Sequence, residues 1–329
     1  MDVLKHLTNC KILSTVSQDE DEAAWLRNRT RGIGGSDIGA ICGVSAYASA
    51  RTVYLQKTGQ YDEAANKPDH AASDRMRFGH LLEPVVADEF AVRTGNTVVK
   101  SPATLVHKDY PWALANVDRL IIDEQGKPYG ILECKTAGEF MKEDWDSGDL
   151  PMSYIYQLNW YMWVLDLPFG AFACLVGGNK FFYYEVFRND ELVAEMVAKA
   201  DYFWNENVLK LVQPDLTSCG ADCTLVKVQN SEVVSGSEKV LDSPTANELA
   251  QVVKDAKADI KRIQAIHDSA ENKLKEMLKD TEIGYTQDFI IKWSPRTQNR
   301  VDNDRLKAIY PAVYKDCIKQ ISFRVFTVK

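Results

Sequence analysis

The chain has 329 residues, enough for one large α/β domain and a smaller appendage, and its 45% hydrophobic content is typical of a globular protein. No apolar stretch is long enough to cross a membrane and the acidic N-terminal run is atypical of a secretory signal, so we expect a cytoplasmic protein without membrane contact. The formal net charge of −8 argues against a broadly basic DNA-binding surface, although arginines concentrate at Arg27, Arg29 and Arg31 and again at Arg75 and Arg77.

Helices are expected in the first part of the chain and strands in its middle. Helical patterns cover 19–31, 36–42, 49–59 and 78–94, with a Gly-rich turn at 32–35 and a polar loop at 60–73. Pro84 should lie in the first turn of the fourth helix, because a proline breaks helical hydrogen bonding further in. Strands are predicted at 97–106, 112–122, 129–136, 170–176 and 180–187, and further helices at 153–166 and 189–212.

The chain changes character after residue 212. Residues 213–240 hold few large apolar groups, which indicates a boundary or a surface excursion. A long helix is expected at about 245–279, with a heptad stripe of Val253, Ala256, Ile260, Ile263, His267, Ala270, Leu274 and Met277. Such a stripe is typical of a helix packed on its own domain or of a projecting coiled-coil arm, and both interpretations stay open.

Strands near 287–293 and 320–328 and a short helix near 303–309 would complete a small C-terminal α+β module. The predicted domains are therefore 1–212, a connecting excursion at 213–244, and a helical arm with its small module at 245–329. The seven cysteines are few and scattered, which predicts reduced thiols. The Cys219–Cys223 pair has too few neighbouring ligands for a zinc or iron–sulfur site.

The strongest chemical signal joins Asp118 to Glu133 and Lys135. Glu133 and Lys135 are two residues apart on a predicted strand, so their side chains share one face. A hairpin centred on Gln125 and Gly126 would place Asp118 opposite Glu133, with the Cβ atoms roughly 5 Å apart. Two facing carboxylates repel each other unless a cation lies between them.

A divalent cation would turn this repulsion into a binding site. Carboxylate oxygens suit Mg²⁺ or Mn²⁺, and the backbone carbonyl of Cys134 could add a ligand. Lys135 could orient or activate a water, or stabilise charge on a phosphate. Alternatively, Asp118 and Glu133 are exposed acids and Lys135 is their salt-bridge partner. The apolar neighbours of both acids favour burial, and hence a metal.

Five segments, in this order, resemble the motifs of the YqaJ-like viral recombinase and lambda-exonuclease family, within the PD-(D/E)XK nuclease superfamily. They are WLRNRTRGIGGSDI (25–38), RFGHLLEP (77–84), ANVD (115–118), LECK (132–135) and YIYQLNWY (154–161). Together they are far more specific than any one of them. The resemblance implies an α/β fold with a restriction-endonuclease-like core, in which helices flank a mixed central sheet.

The resemblance also implies roles for individual residues. Asp118 and Glu133 would hold the metal, and Glu83 would be a nearby acid that ligates directly or through water. Lys135 would position the attacking water. Gln157 would contact the active-site lysine region or the DNA.

A second group of residues would bind the 5′-terminal phosphate of the degraded strand. The resemblance assigns this role to Arg29 and Ser36, with Arg31 as a further contributor. The Gly-rich turn fits physically as well, because backbone N–H groups at a helix start bind anions and glycine permits close approach. The same turn could equally be a plain helix cap.

The activity implied is a Mg²⁺-dependent exonuclease, with Mn²⁺ as a substitute, that digests linear double-stranded DNA from the 5′ end and leaves 3′ overhangs. The family further implies a homotrimeric ring, a single-strand annealing recombinase as partner, and the cytosol of a bacterial host of a phage or prophage. Two other interpretations stay open. One is an endonuclease or repair nuclease on the same core, and the other is an inactive DNA-end-binding scaffold.

Overall fold

The computed structural model describes residues 2–16, 20–61, 70–101, 103–230, 232–319 and 324–328. The chain divides into two compact units, residues 1–230 and 231–329. Within the described residues, no helix combines the length and the apolar character needed to cross a bilayer.

In the described part of the first unit, one strand and four helices precede a run of five strands, and pairs of helices and strands follow. The strands are β1 (Cys10–Ser14), β2 (Thr97–Lys100), β3 (Thr104–His107), β4 (Leu114–Ala115), β5 (Arg119–Ile122), β6 (Pro128–Ala137), β7 (Phe169–Val176) and β8 (Lys180–Phe187). The helices are α1 (Glu22–Thr30), α2 (Gly35–Ile41), α3 (Ala50–Lys57), α4 (His70–Thr94), α5 (Lys142–Ser147), α6 (Met152–Leu165), α7 (Asp190–Tyr202) and α8 (Gly220–Gln229).

The central sheet has five strands in the order β2-β5-β6-β7-β8. β6 and β7 run parallel and the other neighbouring pairs are antiparallel, so the predicted mixed sheet is confirmed. β7 is buried along almost its whole length, which explains its unbroken apolar run FGAFACLV. β8 lies at the sheet edge and alternates between exposed and half-buried residues along most of its length.

Helices cover both faces of this sheet. Ile131 of β6 belongs to the core cluster that includes α6, whereas the next residue, Leu132, packs in the cluster with Phe90 of α4. Because side chains alternate along a strand, Glu133 and Lys135 share the α6 face with Ile131. The two layers of helix thus determine the side on which the polar residues of β6 lie.

A second, three-stranded sheet has the order β1-β3-β4. The chain leaves this sheet after β4 and enters the central sheet at β5, so the single strand predicted at 112–122 is interrupted at residues 116–118. The strand predicted at 97–106 is divided in the same way between β2 and β3. Apolar residues continue through both breaks and pack in two sheets, and so their pattern did not reveal the interruptions.

Helix α4 begins at His70, and Pro84 therefore lies inside the helix rather than in the predicted first turn. The half of the helix that follows Pro84 is anchored by Val86, Ala87 and Phe90, which are buried against the sheet. This packing outweighs the hydrogen bond that proline cannot donate. Most of the predicted polar loop at 60–73 lies outside the described residues.

The first unit extends to residue 230, beyond the predicted domain end at 212. The residues placed in a connecting excursion include α8, whose Leu225 is buried in the main core. Asp222 is 1% exposed and accepts hydrogen bonds from the Ser49 hydroxyl and from the Thr217 backbone N–H (2.6 Å) and hydroxyl (2.8 Å). Polar anchors of this kind leave no apolar periodicity in the sequence.

The second unit is built on one long helix. Its elements are α9 (Pro244–Leu278), β9 (Ile283–Tyr285), β10 (Ile290–Lys292), α10 (Asn303–Ile309) and α11 (Pro311–Cys317). The side chain of Ser243 accepts a hydrogen bond from the backbone N–H of Ala246 and starts α9, and β9 and β10 pair as an antiparallel hairpin. The predicted helix at 303–309 is confirmed. Of the predicted strand at 320–328, residues 320–323 lie outside the described part, and 324–328 form no strand.

The Asp222 contacts predict that α8 stabilises the first unit. Asp222→Ala leaves the buried Ser49 hydroxyl and the Thr217 N–H without their carboxylate, at a cost of about 2–3 kcal/mol in the free energy of unfolding. Denaturant unfolding followed by tryptophan fluorescence measures the change. Asp215→Ala, at an exposed acid of the same segment, is the control. Equal stability of the two variants would contradict this account.

Candidate active site

Six of the predicted site residues line a cavity of about 700 Å³, whereas Lys135 and Cys134 are not among its lining residues. Glu83 of α4, Asp118, Glu133 of β6 and Gln157 of α6 line one part of it, and Arg29, Gly34 and Ser36 line another. Arg31 is exposed and is not among the residues that line the cavity. Sheet and helix elements from both sides of the fold therefore converge on a single polar depression.

Asp118 lies beside β6 in the register that the hairpin predicts. Arg119 pairs with Leu132, which brings the preceding Asp118 to the level of Glu133. An oxygen of the Asp118 carboxylate accepts a hydrogen bond from the backbone N–H of Cys134 at 2.8 Å. Asp118 immediately precedes the first residue of β5. At this point the hydrogen bond from the β6 backbone is therefore accepted by a carboxylate rather than by a backbone carbonyl of a paired strand.

The turn of this hairpin differs from the prediction. Asp123 N–H bonds to the Lys127 carbonyl (3.0 Å), which leaves a three-residue turn with Gly126 at φ +77°, a conformation that favours glycine. Ile121 pairs with Gly130 and Ile122 with Pro128, so Tyr129 is an extra residue in β6. The longer turn and the bulge compensate each other, and the register at Asp118 is preserved.

Glu133 is buried and is held by two neighbours. Its Oε1 accepts hydrogen bonds from Lys135 Nζ (2.7 Å) and Gln157 Nε2 (2.6 Å). Lys135 also donates to Gln157 Oε1 at 3.1 Å and lies 4.8 Å from the centre of the Tyr154 ring. Glu133 Oε2 is buried and has no hydrogen-bond partner in the part of the chain that the structure describes.

The electrostatics follow from burial and from the two neighbouring acids. Burial, the Glu133 charge and the charge of Glu83 raise the pKa of Asp118 well above its usual value, against the opposing effects of Lys135 and the Cys134 N–H. Burial alone would lower the pKa of Lys135, but Glu133 and Asp118 outweigh burial and the pKa is raised. Lys135 is therefore held as a cation at neutral pH.

The donor set of this site fits a hard divalent cation. Glu133 Oε2 lacks a partner, and an unpaired buried carboxylate oxygen is costly unless a cation or a donor approaches it. The Cys134 carbonyl points to the same side of β6 as its N–H, toward Asp118. The available ligands are therefore oxygens, which suit Mg²⁺ and Mn²⁺.

Arg119 joins Glu83 to this group, a role that our sequence reasoning missed. Its side chain is 9% exposed, forms an ion pair with Glu83, and donates to the Asp118 backbone carbonyl at 2.7 Å. Since Arg119 points to the α4 face, it connects the acid of α4 with the residue that precedes β5. An arginine at the start of the apolar segment Leu120–Ile122 was the available signal.

Arg29 and Ser36 are in direct contact on the other wall of the cavity. Arg29 donates to the Ser36 hydroxyl at 2.6 Å, and its guanidinium stacks 4.7 Å from the Trp25 ring centre. A buried ion pair between Lys57 and Asp37 (2.6 Å) supports this wall. Lys57 also donates to the Arg29 carbonyl at 2.9 Å, an interaction between distant residues that the sequence does not reveal.

Glycine brings the two walls together. A Cβ atom at Gly35 would lie 2.5 Å from the ring of Tyr161, and one at Gly39 would lie 3.2 Å from Ser153 Cβ. Both glycines face α6, four residues apart on α2, so the two helices pack closely. Tyr161 in turn accepts a weak hydrogen bond from Gln157 at 3.4 Å.

The site combines an acid beside the start of one strand with Glu133 and Lys135 on the next strand and a glutamine on the covering helix. This arrangement on a mixed α/β core defines a site of the PD-(D/E)XK class. Residues 24–168 match the YqaJ-like viral recombinase domain. The chain is 37% identical over 320 residues to the uncharacterized protein YqaJ of Bacillus subtilis (strain 168), across 96% of this chain and 95% of that one. The chain therefore belongs to the YqaJ-like viral recombinase family, which confirms the resemblance.

Two solved structures share a more distant similarity. The alkaline exonuclease LHK-Exo of Laribacter hongkongensis is 18% identical with a TM-score of 0.46, over 57% of this chain and 93% of that one. A phage related exonuclease from Haemophilus somnus 129PT is 13% identical with a TM-score of 0.37, over 55% of this chain and 96% of that one.

The crowding of carboxylates predicts that Asp118 destabilises the metal-free protein. Asp118→Asn keeps an acceptor for the Cys134 N–H but removes a charge beside Glu133, so the free energy of unfolding should rise by about 1 kcal/mol at neutral pH. The gain should shrink as pH falls through the raised pKa of Asp118, because the wild-type carboxyl then becomes neutral too.

Chemical denaturation with a chelator, between about pH 5 and pH 8, measures this effect. Asp88→Asn, at an exposed acid of α4, should leave stability nearly unchanged. If Asp118→Asn is less stable than wild type at neutral pH in the presence of the chelator, Asp118 does not destabilise the metal-free protein.

Proposed function

We propose that the protein is a Mg²⁺-dependent exonuclease that degrades one strand of linear double-stranded DNA from its 5′ end and leaves a 3′ overhang. The observation that carries this proposal is the buried Glu133, which lines the same cavity as Asp118, contacts a charged lysine, and has one oxygen without a hydrogen-bond partner among the described residues. That arrangement is suited to hydrolysis of a phosphodiester and is costly in a protein with no use for a cation.

Asp118, Glu133 and the Cys134 carbonyl would hold the metal, and Glu83 would contribute through water because Arg119 engages its carboxylate. When bound, the ion supplies charge neutralisation for the scissile phosphate. Lys135 is kept protonated by its acidic neighbours, which favours a donor that positions the attacking water or stabilises phosphate charge over one that removes a proton. Gln157 holds both Lys135 and Glu133 in place.

Arg29 and Ser36 support digestion from an end rather than at an internal site. A guanidinium and a hydroxyl 2.6 Å apart on the cavity wall form a pair of donors for a terminal phosphate. The 5′-to-3′ direction and a role in single-strand-annealing recombination follow from the family and stay predictions. The homotrimeric ring, the annealing recombinase partner and the bacterial cytosol are further predictions of the same kind.

The first experiment is a time course on linear duplex DNA with Mg²⁺, labelled at one 5′ or 3′ end, beside a closed circle. Rapid loss of the 5′ label with an intact circle is the expected result. Cutting of the circle would favour the endonuclease interpretation. No cleavage with Mg²⁺ or Mn²⁺ would favour an inactive DNA-end-binding scaffold.

Lys135→Ala should lower the cleavage rate by about 10²- to 10⁴-fold while DNA-end binding persists, because the ammonium acts on the reacting groups rather than on the duplex. Single-turnover cleavage and a gel-shift assay measure the two properties. Lys180→Ala removes a lysine that is ion-paired with Glu139 and should cleave normally. A near-wild-type rate for Lys135→Ala would reject the assigned role.

Arg29→Ala should slow digestion of 5′-phosphorylated ends by about 10- to 100-fold, the value of a charge-assisted contact, and should change digestion of 5′-hydroxyl ends little. The ratio of the two rates is the measurement. Arg27→Ala is the matched control, since this exposed arginine of α1 is not among the cavity-lining residues. Equal losses on both kinds of end would make Arg29 a general DNA contact or a structural residue.

A further inference from the structure

Helix α9 exposes an apolar row that is interrupted only at His267. Ile260 is 66% exposed, Ile263 is 58% exposed and Met277 is 77% exposed. Exposed apolar side chains are ordinary when scattered, but a row that continues along several helical turns indicates a contact surface. Apolar residues three and four apart favour another helix as the occupant.

The heptad positions of α9 can be read from its sequence. The core positions a are Val253, Ile260, His267 and Leu274, and the core positions d are Ala256, Ile263, Ala270 and Met277. The flanking positions e are Lys257, Gln264 and Glu271, and the flanking positions g are Asp259, Ile266 and Lys273. In a coiled coil the flanking charges determine the partner and its orientation.

Two pairs of core residues are complementary in size when two copies of α9 run antiparallel with Ala265 at the centre. Ile260 then lies opposite Ala270 of the second copy, and Ala256 lies opposite Leu274. Each of these two contacts pairs a small side chain with a large one, so the side chains of the two helices can interdigitate. A parallel, in-register pair would instead place alanine on alanine in two layers and leave gaps.

The charges favour the same arrangement. Antiparallel helices bring e opposite e and g opposite g, so Lys257 faces Glu271 of the second copy and Asp259 faces Lys273. Both attractive pairs occur twice because of the two-fold symmetry. A parallel pair would place Glu271 against Ile266 and Asp259 against Gln264, with no attractive charge pair.

We propose that α9 is a dimerisation arm, which pairs with α9 of a second copy of this chain as an antiparallel coiled coil centred on Ala265. The occupant is a second copy because the row of small and large residues and the flanking charges match the same helix reversed. This pairing is independent of nuclease activity. If the first units also form a ring, pairing of the arms joins two rings and doubles the mass. If the first units are monomeric, pairing of the arms joins two monomers and likewise doubles the mass.

The test is a charge exchange in the full-length protein. Lys257→Glu and Glu271→Lys each place like charges opposite each other twice, so each variant alone should have half the wild-type mass, in multiples of the 37.1 kDa chain. Mixing the two variants, or combining both changes in one chain, restores opposite charges across the pair and should restore the wild-type mass. Light scattering after size exclusion at micromolar concentration gives these masses.

The matched control is Lys261→Glu, the same charge change on the same helix at position b, away from the seam, which should keep the wild-type mass. Glu271 also forms an ion pair with Lys275 within the helix (2.7 Å), so circular dichroism should verify that each variant remains helical. Three results would overturn the proposal. They are single variants with wild-type mass, no rescue on mixing, and an equal loss of mass in Lys261→Glu.

Discussion

The central constraint on this protein is the cost of holding Asp118 and Glu133 side by side at the end of an apolar sheet. The surrounding residues reduce that cost without removing it. Lys135, Gln157 and the Cys134 N–H satisfy three carboxylate contacts, and one oxygen of Glu133 stays buried without a donor. A protein selected for stability alone would replace such a pair with neutral groups. The cost of the pair therefore supports the proposal that it binds a cation.

The same constraint explains how the supporting elements are arranged. Asp118 lies in the gap where the chain passes from the small sheet to the central sheet, so no strand partner competes for the space beside β6. Arg119, the next residue, points to the opposite face and engages Glu83 of α4. Two consecutive residues therefore connect the acidic site to both helical layers.

Local patterns were enough to predict that Asp118 lies beside Glu133 and that Lys135 shares the face of Glu133, because alternation along a strand and the length of a hairpin act over short distances. The choice of these residues as a site also needed the family resemblance. The prediction survived an incorrect turn because the apolar residues of β5 and β6 favour one register, and a slip would expose them. The ion pair of Lys57 with Asp37 and the burial of α8 through Asp222 were not predictable, and the position of Arg119 before an apolar segment did not identify Glu83 as its partner. Each depends on side chains that come together only in the folded chain, and none of them leaves a periodic pattern.

The close contact of Gly35 with Tyr161 has a consequence for the products of the proposed reaction. Because the helices meet with no space for a side chain between them, close packing fixes the position of Ser36 on one helix relative to Gln157 on the other. The interval between the anchored end of a strand and the bond that is cut is then constant. In that case the packed pair of helices sets a fixed distance, and every reaction cycle releases a fragment of the same length.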